Sequence, residues 1–157
     1  MSLGLRGGRK LHGVMALFAD YCASKLKEVV QHAHAYAAEQ GLEATLRITR
    51  SQTQRRISFH PAAQDIILSF DAGYVVMDAR TIEVGPGYHA FVVGFVDYLS
   101  RHHQWVWDFD NAKQGFSDDT GYYRDRDFGA LETAMAGTLT WLRTTLLNLE
   151  DLSLIHI

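Results

Sequence analysis

The chain predicts an α+β fold: an antiparallel sheet of four to five strands with helices packed on one face, a two-layer sandwich. Three observations carry this. Residues 14–40 and 88–103 space their apolar side chains by three and four, as one face of a helix requires. Residues 43–80 instead alternate apolar and polar side chains. The alternating runs are joined by only a few residues, whereas parallel neighbours need a crossover of about a dozen or more.

The first thirteen residues, MSLGLRGGRKLHG, are rich in glycine and basic side chains and show no periodicity. They predict a flexible N-terminal segment over 1–13, followed by a single α+β domain over 14–157. Met15, Phe18, Cys22, Leu26, Val29, Ala33 and Tyr36 then form one helical stripe, which Gly41 stops. Four β-type runs follow, over 43–50, 55–60, 65–71 and 74–80. The last two are joined at Asp71-Ala72-Gly73, where glycine supplies the positive φ of a tight hairpin. Residues 81–84 either extend that strand or bend away from it.

Tyr88, Phe91, Val92, Phe95 and Leu99 make the stripe of the second helix, and burying such side chains stabilises a fold by roughly 1.5–3 kcal/mol each. Trp105, Trp107 and Phe109 alternate with Val106, Asp108 and Asp110, which predicts a fifth strand. A polar loop spans 111–126. Asp127 is placed to cap a third helix carrying Phe128, Leu131, Met135, Leu139, Leu142, Leu146 and Leu149. Leu152, Leu154, Ile155 and Ile157 close the sequence without a polar tail. They read either as an edge strand or as the sign of a cut from something longer.

Bulk composition narrows the function classes. The 157 residues are 47% hydrophobic and 21% charged, an ordinary globular balance that excludes wholesale disorder. One cysteine, Cys22, excludes an internal disulfide and a cysteine zinc site, and suits a reducing compartment. Arg6, Arg9 and Lys10 precede an apolar run that imitates a signal peptide, but Asp20 cuts the run short. No stretch approaches the ~18 apolar residues of a membrane span. The expectation is a cytoplasmic protein without a membrane partner. Residues 1–60 hold nine Lys/Arg against four Asp/Glu, and residues 61–157 six against fourteen, a polarity that suits self-association or a protein partner.

Several constellations could carry chemistry. Gly85, Gly87, Tyr88 and His89 form a strand-to-helix junction that could hold an anion on free backbone N–H groups. The motif lacks the third glycine, the lysine and the hydroxyl of a dinucleotide fingerprint or P-loop, so no cofactor is implied. The eight histidines have no i, i+4 pair and no HExxH, so no metal is implied either. The acidic loop after Asp108 fails the calcium register, with Lys113 where glycine is required. Trp105, Trp107, Phe116, Tyr122 and Tyr123 surround that loop as interface candidates. Arg47, Arg50, Arg55 and Arg56 make a basic hairpin, a second interface candidate.

The best functional expectation is a non-enzymatic interaction or small-ligand-binding module. Its surfaces would be the open sheet face, the glycine junction and the aromatic-acidic loop. One alternative is an enzyme using His89 with Asp78 or Asp97 as acid and base. The other is nucleic-acid binding through the arginine hairpin, disfavoured by a pI near 6.2.

Overall fold

A computed structural model describes residues 4–11, 19–103 and 105–154. Its elements are β1 (Gly4–Lys10), α1 (Ala19–Glu39), β2 (Arg47–Arg50), β3 (Gln54–Ser58), β4 (Ile66–Asp71), β5 (Tyr74–Arg80), α2 (Pro86–His103), β6 (Asp110–Asn111), β7 (Phe116–Asp118), α3 (Tyr122–Asp125) and α4 (Phe128–Leu154). The strands form a single antiparallel sheet in the order β2-β3-β4-β5-β1-β7-β6. Seven strands replace the four or five expected, and helices pack against the sheet as the apolar spacing required.

The largest correction concerns the N-terminal segment. Residues 4–10 are not frayed; they form β1, paired with β5 on one side and β7 on the other. The glycines that suggested flexibility are what the position demands. A Cβ at Gly7 would meet the Phe109 ring and lie 2.8 Å from the Asp108 carbonyl oxygen, and one at Gly8 would enter the Phe116 ring. Glycine here lets aromatic rings close directly on the backbone of a central strand. Leu5, 1% exposed, anchors the strand in the core.

Alternation places the inner face. Ile57, Ile66, Leu68, Val75, Met77 and Ala79 are buried beneath α1 and α2. From α1 come Leu26, Val29, Ala33 and Tyr36, and from α2 Val92, Phe95 and Leu99, all buried. Phe59 lies edge-on to Phe91 and Phe95, with ring centroids 5.1 and 5.2 Å apart. Met15 and Phe18 of the expected stripe lie outside the described residues.

Two further expectations shift. Residues 43–45 are a turn: the Leu42 carbonyl accepts from the N–H groups of Thr45 and Leu46, and the Thr45 hydroxyl donates to the Phe59 carbonyl at 2.8 Å, which holds the backbone out of the ladder. Residues 105–109 touch the sheet at a single bridge, Gly8 to Asp108, instead of forming a strand. The Asp108 carboxylate accepts from the Asp110 N–H and the Asn111 side chain, which turns the chain at once. The alternation itself is real: Trp105, Trp107 and Phe109 are buried, whereas Val106 is 84% exposed.

Asp127 caps α4 by accepting from the Ala130 N–H at 3.0 Å. This helix lies on α2 instead of the sheet, burying Leu131 and Met135 with Ile82 in a second small cluster. Between residues 136 and 147 none of its side chains is buried. Among the described residues no helix is long and apolar enough to cross a membrane.

Candidate functional site: a buried histidine beneath an aromatic cleft

The site starts from the turn after β5. Gly85 adopts φ +108°, and Pro86 takes the first helical position, where its missing N–H costs nothing. The Gly85 carbonyl accepts from the N–H groups of Tyr88 and His89 at 3.1 and 3.2 Å. Those donors are therefore spent inside the turn, and little of the expected anion cradle is left. What the turn achieves is a reversal that lays His89 over Thr81. Tyr88 packs on Phe91 and is 8% exposed; burial, then the nearby Asp65, push its hydroxyl up to about 12.

His89 is fully buried. Its Nδ1 lies 2.8 Å from the Thr81 hydroxyl, and its Nε2 lies 3.1 Å from the Thr120 hydroxyl and 3.3 Å from Asp118 Oδ1. Thr120 gives its single hydroxyl proton to Asp118 Oδ1 at 2.8 Å. Its oxygen can then only accept from His89, so proton accounting puts a hydrogen on Nε2. Nδ1 of a neutral ring is left to accept from Thr81.

Asp118 gathers the other half of the network. It accepts from the Thr120 N–H at 3.0 Å and the Tyr123 N–H at 2.6 Å. Burial pushes its carboxyl up, but the hydrogen bonds from His89, Tyr123 and Thr120 together outweigh that and hold it down at about 2. Both ring nitrogens of His89 are occupied, and none of its atoms is exposed. The network fastens α2 to β7 and to the start of α3.

On the far side of Asp118 lies a cleft of about 370 Å³, lined by Trp107, Phe109, Tyr123, Asp108, Asp110 and Arg124 among others. Phe109 and Tyr123 have ring centroids 4.5 Å apart, and Trp107 stacks on Phe109 at 6.2 Å. Trp107 is 5% exposed, and its Nε1–H has no acceptor among the described residues. A buried donor without a partner costs about 1–3 kcal/mol. Arg124 is spent on Asp125, at 2.7 and 3.1 Å. Asp108, Asp110 and Asp118 therefore leave the cleft negative.

The structure scatters the other sequence candidates. Asp78 pairs with Arg6 at 2.9 Å, and Asp97 forms a two-bonded pair with Arg126 at 2.7 and 2.8 Å. Neither bonds to His89; Asp118 does. Trp105 and Phe116 are buried, Trp105 beneath the Arg9 guanidinium at 3.9 Å, while Tyr122 and Tyr123 are half-buried. The four hairpin arginines divide by register: Arg47 and Arg56 face outward with Ser58 and Ile67, and Arg50 and Arg55 lie on the inner side with Ile48 and Ile57. Among the described residues no three His, Cys, Asp or Glu side chains lie together as a metal site.

Sequence reasoning missed Thr81, Thr120 and the role of Asp118. Only the eight-residue spacing of Thr81 and His89 across a glycine-proline turn signalled any of them. Comparisons with protein families, curated proteins and solved structures found no match for this chain.

Proposed function

We propose that this protein is a non-enzymatic module that binds a small organic ligand in the cleft between residues 107–110 and α3. The reading is carried by Trp107, a residue of the cleft wall whose buried Nε1–H has no acceptor among the described residues. A volume of about 370 Å³ falls within the range of small-molecule sites. Three carboxylates beside one neutralised arginine favour a neutral or cationic ligand. Its apolar ring would lie against Phe109 and Tyr123, and its hydrogen-bond acceptor would satisfy Trp107. A positive charge over those ring faces adds a further attraction. The single cysteine suits a cytoplasmic setting for such a module.

Nitrogen-resolved NMR tests this directly, because the chain has three indole N–H groups and Trp107→Phe identifies one of them. Tyramine, a cationic ring compound with a hydroxyl, should shift the Trp107 signal downfield and leave Trp141 in place. Phenylacetate, its anionic counterpart, should leave both unmoved. A Trp107 signal indifferent to tyramine would remove the proposal.

A second reading, self-association, is favoured by α4. Leu139, Trp141, Leu146 and Leu147 are each more than half exposed. Leu139, Leu142 and Leu146 follow the three-four spacing of a coiled-coil seam, which a second copy would cover. Sedimentation should give a dimer at low and high salt, and a monomer for Leu139→Lys combined with Leu146→Lys. A wild-type monomer at both salt concentrations sinks this reading.

A further inference from the structure

We propose that the groove between α1 and the β2–β3 hairpin binds a small multivalent phosphate-type anion. The groove, of about 220 Å³, is lined by Ala23, Ser24, Lys27 and Val30 of α1 and by Arg50 and Arg55 of the hairpin. Three cations and a hydroxyl meet there, and no carboxylate lines it. Arg50 and Arg55 are register partners, directly opposite across the ladder. Like charges so placed repel and destabilise a strand pair. Lys27, entering from the helix above, adds a third positive charge to the same space.

Nothing nearby relieves this. Among the described residues Lys27 and Arg50 have no ion pair, and Glu28, next to Lys27 in sequence, is spent on Lys25 at 2.9 Å. Residues 12–18 contain no Asp or Glu. A bound oxyanion would supply the missing negative charge.

The groove is also prepared for one. Arg55 is fixed by Nη1, which donates to the carbonyls of Ser51 at 2.6 Å and Gln54 at 3.0 Å. Its Nε and Nη2, which make no hydrogen bond among the described residues, form a fork suited to two phosphate oxygens. Val30, only 3% exposed, backs the groove with an apolar wall that strengthens the local field. Because Arg47 and Arg56 lie on the opposite face of the sheet, the hairpin offers this groove two arginines, not four. That geometry suits a compact anion. Free diphosphate and the phosphate of a nucleic-acid backbone share the required chemistry.

Thermal unfolding in sodium pyrophosphate, against sodium chloride at matched ionic strength, tests the site. At a hundredfold excess over its dissociation constant, pyrophosphate should raise the wild-type midpoint by roughly 5–10 °C. Arg50→Gln should abolish that shift while leaving the anion-free midpoint equal or higher, since it removes a repulsion. Lys27→Gln, an exposed helical change, should abolish most of it, and Arg47→Gln on the other face should retain it. A twelve-residue oligothymidylate assigns the source: a matching shift points to a backbone phosphate, no shift to a free one. Equal wild-type midpoints in pyrophosphate and chloride would overturn the proposal. So would a full shift in Arg50→Gln, or one lost in Arg47→Gln.

Discussion

Replacing Asp118 with alanine should destabilise the fold by about 3–5 kcal/mol at neutral pH, because several buried donors lose their acceptor at about 1–3 kcal/mol each. The change strands His89 Nε2, the Tyr123 N–H and two donors of Thr120 in a region with little water to replace the lost acceptor. Its pH dependence identifies the cause. The carboxyl is held at about 2 in the folded chain against an ordinary 3.8, so the unfolded chain binds the proton more readily. This contribution, about 2 kcal/mol, is complete above the unfolded value and lost as pH falls from about 4 through 2. Urea denaturation at pH 7, 4 and 3 should therefore show the wild type losing part of its advantage over Asp118→Ala as the acid is added. A constant difference between the two proteins across that window would show that the carboxylate is not held low.

Gly7→Ala should cost about 3 kcal/mol, at the upper end for overpacking, and lower the thermal midpoint by roughly 10 °C. The new methyl group would lie 2.8 Å from the Asp108 carbonyl, in the way of the Phe109 ring. It would push apart the backbone bonds between Gly8 and Asp108, now 3.0 and 2.9 Å. Gly137→Ala supplies the contrast, since a Cβ there meets nothing within 4 Å. In a helix interior that change should stabilise by about 0.5–1 kcal/mol. If calorimetry gives the two substitutions similar small effects, β1 is not seated against residues 108 and 109 as described.

The sheet and the helices were legible where side chains keep a period. Ile66, Leu68 and Phe70, then Val75, Met77 and Ala79, alternate cleanly, and Gly73 marks the turn between them. Phe91, Phe95 and Leu99 announce the buried face of α2. β1 was illegible because its partners supply the packing: a strand whose inward positions are Leu5, Gly7 and Arg9 has almost no period to read. The buried network was illegible for a related reason. Threonine and aspartate near glycine are ordinary turn residues, and only the folded chain brings Thr81, Asp118 and Thr120 around one imidazole. His89 stood out as a residue, but its surroundings come from segments with no local signature.

The position of β1 has a consequence for how the chain reaches its native state. Leu5 meets Ala79 on one side and Asp118 on the other, so the middle of the sheet waits on contacts very remote in sequence. Closing such loops is entropically costly and slows folding. While residues 74–80 are made and 116–118 are not, β1 offers an unpaired edge, and nascent molecules in that interval are most open to pairing with one another.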